Sequence, residues 1–350
     1  MIIPANAPLK QLSTGRQLGL APVRAPGHRG DMRTNLPGDL LQRQAGVVER
    51  SQALKAGLRR DAIDGMVRTG RWQRLQRGVY ATFSGQPGRD ALMWAVILRA
   101  GPAAMLSHRT AAGLFGLTEY PGTAVHVIVP RDRRPRPIPG AVVHRLDRPP
   151  EARHPVLLPP RTRIEETVLD LAATATSADD AIAWVFRATG RGLTSVELIR
   201  RAMTMRGRMY WRAELAACLD DTADGVRSNL EHRYLWAVER PHGLPRAVRQ
   251  ARVVRDGRVC YLDNFYPEYL AGIELDGRAA HPVGERWRDY RRDNAGATDG
   301  IVTLRYGWSD VTGQPCQVAA QVAAVLVQRG WSGPPRRCGS RCAVPRPRSP

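Results

Sequence analysis

Lysine is nearly absent. Of the 53 basic residues only Lys10 and Lys55 are lysines, and the rest are arginine. Such usage, with abundant Ala and Gly, is what G+C-rich codons produce, so the choice of cation carries no functional message. The surplus does: 53 basic against 32 acidic residues leave a formal charge of +21. A polyanionic partner, nucleic acid first, is what such a surplus serves. Long apolar runs are also missing. The best, Leu92 to Leu98, stops at Arg99, far short of the roughly 18 residues that span a bilayer. No long amphipathic helix with a basic face offers itself to a membrane surface. The N-terminal stretch lacks an apolar secretory segment. Five cysteines, an odd number in 350 residues, do not make a disulfide framework. The expectation is a cytoplasmic protein with no membrane role.

A hydrophobic content of 43% over 350 residues suits a globular chain of two or three domains. Residues 1–42 carry Pro4, Pro8, Pro22, Pro26 and Pro37 with little periodicity, and read as a disordered leader; Met32 is an alternative start. Residues 332–350 read as a disordered, basic, Pro-rich tail. Its Cys338 and Cys342, with Cys316 upstream, suggest a metal, but no fourth ligand is apparent and the spacing matches no standard zinc pattern. The expectation there is unligated thiols.

Residues 43–82 read as a winged helix-turn-helix. Ser51 suits the cap of a helix running to Ala56, Gly57 ends it, and a second helix spans Arg60–Thr69. Ala53, Leu54, Leu58, Ile63 and Val67 have the spacing of a small core, and Trp72–Tyr80 reads as a hairpin wing. Arg59, Arg60, Arg68 and Arg71 flank the second helix, where a DNA-reading helix would meet phosphates and guanine edges. Residues 83–205 alternate helix and strand: helices at 91–99, 109–116, 164–173 and 179–186, strands at 125–129 and 141–145. Ser107-His108 is not read as a nucleophile–base pair, because neighbours on a helix do not face each other, and Ser107 is expected to be an N-cap. The stretches GRWQRLQRGVYA, MLSHRTAAGLFGL, VHVIVP, VVHRL and RTRIEETVLDLA resemble the N-terminal part of actinobacterial AbiEi-type antitoxin-like proteins. That resemblance implies operator DNA as one partner and a cognate toxin as a candidate second.

Residues 206–331 read as helix, three strands, helix, strand, helix. Leu230, Tyr234 and Val238 stripe a helix over 228–239, and Asp256-Gly257 marks a hairpin between strands 250–255 and 258–266. Strands follow at 270–276 and 301–306, with a basic helix between them at 284–297 and a closing helix striped by Val318, Val322, Val325 and Leu326. Glu274 and Asp276, two apart on a strand, share one face, and Asp263 ends the strand before. Carboxylates converging at partly buried strand ends repel unless a cation neutralises them. Hard oxygen ligands favour Mg²⁺ or Mn²⁺, which acidify water and polarise phosphate. Arg288, Arg291 and Arg292, at i, i+3 and i+4, would add a phosphate-binding face.

The segments SNLEHRYL, CYLDNFYPEYLAGIELDG, RWRDYRRDN and VTLRYGWSDV resemble Vsr-like endonuclease domains of the PD-(D/E)XK superfamily. The resemblance implies a restriction-endonuclease-like αβββαβ core, with Asp263 and Glu274 as metal ligands and Glu231 as a supporting helical acid. The third signature position, usually Lys, is Asp276 here, and no lysine follows Lys55. Arginine stays protonated and makes a poor base. Asp276 then adds a ligand, or His281 with a second metal activates the water, or the nuclease is weakened or dead. The fold expected is α/β. The function expected is a DNA-binding protein with a Mg²⁺-dependent endonuclease domain, in phage defence or repair. The rival is a non-catalytic antitoxin-type regulator that keeps a degenerate nuclease fold.

Overall fold

The computed structural model describes residues 36–119, 123–255, 258–276 and 300–345. They form two compact units, residues 36–175 with 187–210 and residues 176–186 with 211–345. The architecture is mixed α/β with three small sheets. Among the described residues no helix is long and apolar enough to cross a membrane.

The first unit opens with α1 (Gly38–Arg43), β1 (Val47–Glu49), α2 (Arg50–Lys55), α3 (Arg60–Arg68), β2 (Gln73–Gln76) and β3 (Val79–Ala81). Helix α1 and the buried Leu36 lie inside the stretch expected to be a disordered leader. The correction follows from Leu36, which fills the core of Val48, Ala53, Ile63, Trp72 and Tyr80. The expected cap also moves: Glu49 rather than Ser51 precedes α2 and forms a capping box with Gln52, while the Ser51 hydroxyl donates to Glu49. Strands run in the order β1-β3-β2, all antiparallel. Successive strand residues point to opposite faces. Val48 and Tyr80 therefore pack on the helix-turn-helix, whereas Val47 and Val79 pack on α4 (Arg89–Ala100). The boundary expected between 82 and 83 thus runs beside one shared core.

Next come β4 (Met105–Leu106), α5 (His108–Leu114), β5 (Val125–Val129), β6 (Ala141–Arg145) and α6 (Ile164–Ala173). Strand β5 lies between antiparallel β4 and parallel β6. The division between units falls within α7 (Ala178–Gly190), and α8 (Val196–Thr204), capped by Ser195, returns to pack on α6.

The second unit holds α9 (Arg212–Ala223) and α10 (Asn229–Tyr234), which continues through a π-turn over Leu235–Glu239. Strands β7 (Val248–Arg255), β8 (Arg258–Tyr266) and β9 (Ala271–Asp276) form an antiparallel meander. Strand β10 (Val302–Gly307) pairs parallel with β9, giving the sheet order β10-β9-β8-β7. Helices α11 (Trp308–Gly313) and α12 (Pro315–Gln328) close the unit. One core joins Leu230, Tyr234 and Val238 to Ile273, Val322 and Leu326. The stretch expected to be a disordered tail enters this core: Cys342 and Val344 are buried, and the Arg336 amide donates to the His242 carbonyl at 2.7 Å.

Candidate nucleic-acid interface and carboxylate site

Helix α3 places Ile63 in the core and leaves its polar side to solvent, so Arg60 and Arg68 are exposed, as are Arg59 before it and Arg71 after it. Arg59 is paired with Asp61 at 3.2 Å. Arg74 on β2 and Arg77 in the β2–β3 turn are exposed as well, two cations that the sequence pattern does not single out. Gly78 completes that turn with φ +77, a conformation glycine adopts without a Cβ clash. Guanidiniums thus occupy both the helix and the wing, the two parts such a fold presents to duplex DNA.

In the second unit Asp263 lies within β8 rather than at its end. The β8–β9 ladder runs Tyr266↔Ala271, Phe265↔Gly272, Asn264↔Ile273. The next step of that register sets Asp263 opposite Glu274. There the Asp263 carboxylate takes over from the ladder, accepting the Leu275 amide at 2.8 Å and the Gln250 side-chain amide at 2.9 Å. Gln250 itself holds φ +49, strained for a residue with a side chain, at the point of β7 facing this acid. Glu274 pairs with Arg305 of the neighbouring strand at 3.1 Å. Glu231, buried in the first turn of α10, accepts the Arg227 amide at 2.9 Å. Burial pushes its carboxyl above the ordinary carboxylate range, the Arg227 amide opposes this, and the charge of Asp263 adds to the rise. Asp276 is half-buried at the end of β9. Expected site residues His281, Arg288, Arg291 and Arg292, with the helix expected at 284–297, lie outside the described residues. A cleft of about 310 Å³ in this unit is lined by Asp221, Glu239, Arg240 and Arg249, and by none of Asp263, Glu274 and Glu231.

Sequence reasoning missed a histidine cluster in the first unit. His108, His126 and His144 stack, with His108 and His144 ring centroids 3.7 Å apart. Ser107 stands at the N-cap position of α5 but makes no side-chain cap bond; its Oγ lies 2.9 Å from His108 Nδ1. The two side chains expected to point apart therefore touch. The cause is backbone: His108 has φ +46 and Ser107 is extended, so neither obeys helical spacing. His126 Nδ1 and His144 Nε2 lie 3.1 Å apart, one as donor and one as acceptor, which suits neutral rings. Burial lowers His108 to about 3 and His144 to about 4, from an ordinary 6.5.

A histidine whose folded value is depressed contributes stability above its unfolded value, and that contribution is lost as pH falls toward the folded one. Urea midpoints of the full chain should therefore fall between pH 6.5 and 4. His108→Gln should flatten the dependence relative to the parent. Parallel pH profiles of the two proteins would show the cluster to be exposed.

Residues 39–82 match a family described as transcriptional regulator, AbiEi antitoxin. The match covers the helix-turn-helix and wing, and it supports a DNA-binding regulatory role for that part of the chain. No curated protein sequence matches the chain. Among solved structures, the RV2827C protein from Mycobacterium tuberculosis is 19% identical over 50% of this chain and 71% of its own, with a TM-score of 0.36. At that similarity it carries no argument about fold or function.

Proposed function

We propose that the chain is a duplex-DNA-binding regulator of antitoxin type, with α3 as the groove-reading helix and the β2–β3 wing on the flanking backbone. The observation that carries this is the set of exposed arginines on helix and wing, Arg60, Arg68, Arg71, Arg74 and Arg77, within the stretch that matches the regulator family. A cognate toxin is the second partner of this reading. Titration of the full chain with duplex DNA, including the segment upstream of its own gene, tests it. Log affinity should fall steeply and linearly with log salt, because arginine–phosphate contacts release counterions. Undetectable binding at low salt defeats the reading.

A second reading, phosphodiester cleavage by the second unit, is favoured by the β8–β9 ladder, whose last pair Asn264↔Ile273 adjoins Asp263 and Glu274, and by the charge of Asp263 acting on Glu231. The helix, three-strand meander and parallel fourth strand follow the order of the αβββαβ nucleases. The candidate donors Asp263 and Glu274 are carboxylates, the type a hard divalent cation such as Mg²⁺ takes, with Asp276 as a third that would have to draw in, since these acids do not stand within 4.8 Å of one another as a ready three-ligand group. Such a cation supplies an acidified water and neutralises phosphate charge. The chain's own part is orientation: Gln250 and the Leu275 amide fix Asp263, and Arg305 must yield Glu274. Plasmid nicking by the full chain with Mg²⁺ or Mn²⁺ should drop at least about tenfold in Asp263→Asn and in Glu274→Gln. Absence of metal-stimulated nicking in the parent protein leaves the regulator reading alone.

A further inference from the structure

The described residues bring four soft and borderline ligands together in a place the sequence keeps apart. His242 follows the helix that carries Glu231, Cys316 is in the first turn of α12, and Cys338 and Cys342 belong to the C-terminal segment. One ligand atom from each lies within 4.8 Å of all the others. Cys316 Sγ and Cys338 Sγ are 3.4 Å apart, close for unbonded sulfurs and far beyond the roughly 2 Å of a disulfide. In a tetrahedron with metal–sulfur bonds of about 2.3 Å, ligand atoms stand roughly 3.8 Å from each other. The 3.4 Å sulfur pair and the 4.8 Å limit on the rest are compatible with that value.

His242 supplies the independent observation. Its side chain is fully buried, and Nδ1 lies 2.8 Å from the Val238 carbonyl oxygen. Nδ1 therefore carries a proton and donates, so that in the neutral tautomer Nε2 presents its lone pair. That Nε2 is buried with no hydrogen-bond partner. A buried acceptor in this state bears its desolvation penalty without the hydrogen bond that would offset it. A histidine with one ring nitrogen fixed on a backbone carbonyl, the other unpartnered, and a ring nitrogen within 4.8 Å of three thiols is placed as outer partners place metal-ligating imidazoles. Taken as a pair, Cys338 and Cys342 fall within the C-x₂₋₄-C range of zinc ligands, although the full set, with His242 and Cys316 far upstream, follows no standard zinc sequence pattern.

We propose that His242, Cys316, Cys338 and Cys342 form a closed, structural Cys₃His site for one zinc ion. Three thiolates and an imidazole select Zn²⁺ over the hard cations suited to the carboxylates of the same unit. Four protein ligands leave no open position, so the site holds structure and does no chemistry. It staples the C-terminal segment to α12 and to the end of the π-turn helix, beside the contact from the Arg336 amide to the His242 carbonyl. It also explains why a stretch rich in Pro and Arg is ordered enough to bury Val344. Binding would release the thiol protons to solvent, with no redox change.

The test uses the full chain purified without chelator. Elemental analysis should find one zinc per chain, released by a thiol-reactive mercurial and read with a metallochromic dye. Replacement by Co²⁺ should give the intense visible bands of tetrahedral cobalt and a near-ultraviolet thiolate charge-transfer band. C338S with C342S should remove both, H242N should shift the visible bands, and C260S, on β8 outside the cluster, should leave them unchanged. Zinc removal should lower the thermal midpoint of the parent protein but not that of C338S/C342S. Less than a tenth of an equivalent of zinc with no cobalt spectrum in the folded parent protein would overturn the site. So would an unchanged spectrum in C338S/C342S, or a Cys316–Cys338 disulfide in freshly purified protein. The metal-content measurement needs no variant, so misfolding of a mutant cannot obscure the result.

Discussion

Replacing Arg60 and Arg68 together with alanine should weaken duplex binding by roughly ten- to a hundredfold at low salt and reduce the salt slope by about 2, one for each phosphate left unneutralised. Both side chains are exposed, so their removal takes little from the core, and alanine is at least as good a helix former as arginine. The helix stays anchored by Ile63, buried among Val48, Ala53, Trp72 and Tyr80. Arg59→Ala is the internal comparison. Arg59 precedes α3 and already pairs with Asp61, so its replacement should cost less affinity than that of either of the others. The checks are fluorescence anisotropy at several salt concentrations and thermal melts of each variant. An unchanged slope with an unchanged melting point would remove α3 from the interface.

Arg206→Ala should destabilise the first unit by about 3–5 kcal/mol, the range for removing one partner of a buried ion network. Arg206 reaches from the segment after α8 to α6, where Nε donates to Glu166 Oε2 at 2.9 Å and Nη2 to Asp170 Oδ1 at 2.8 Å. Glu166 and Asp170 are four apart on α6, on the same face, and Asp170 has no exposed side-chain surface. Arg148 would remain against them, 2.6 Å from Asp170. Two buried carboxylates would then share that cation. Arg206→Lys should recover part of the stability, because an ammonium keeps the charge but lacks the planar fork that serves two acids. Urea unfolding at neutral pH measures both. A drop below about 1 kcal/mol for the alanine variant would put the network in the class of solvent-screened pairs.

Much of the architecture is legible in the sequence wherever local pattern decides it. The strands at 125–129 and 141–145 and the helix at 164–173 have the limits their sequence implies, because apolar runs there are bounded by Pro, Gly or a polar cluster. The β7–β8–β9 meander follows from alternating patterns and short turns, whereas the parallel pairing of β10 with β9, across a long connection, is not set by local pattern. Short strands β1 and β4 escape, since two or three residues carry no period and gain their identity from distant partners. Helix α8 has a usable signal in Ser195 as cap with Ile199 and Met203 one turn apart on the buried side. Asp263 and Glu274 stand out in the sequence as acids on adjacent strands, but the Gln250 and Arg305 side chains that engage them do not. His242 cannot be linked to the C-terminal cysteines from sequence, because only the folded unit makes them neighbours. Ser107 and His108 mislead for a related reason: helical spacing does not apply to a residue with left-handed backbone.

Strand β3 has a consequence for how the DNA-reading part behaves. Its neighbours in sequence look in opposite directions, Tyr80 into the helix-turn-helix and Val79 into the core under α4, and on β1 Val48 and Val47 divide in the same way. One three-stranded sheet is therefore a party wall. Loosening either side uncovers apolar surface on the other, so both sides open together as a single foldon and neither frays first. A fragment cut after residue 82 would carry an oily face where α4 had been and would tend to aggregate. The same core continues from α4 to Leu106, Val125, Val127 and Val129, so a cut after Ala100 would bare a second apolar face. Strain that a partner imposes on α4 has a short mechanical route to the orientation of the wing arginines.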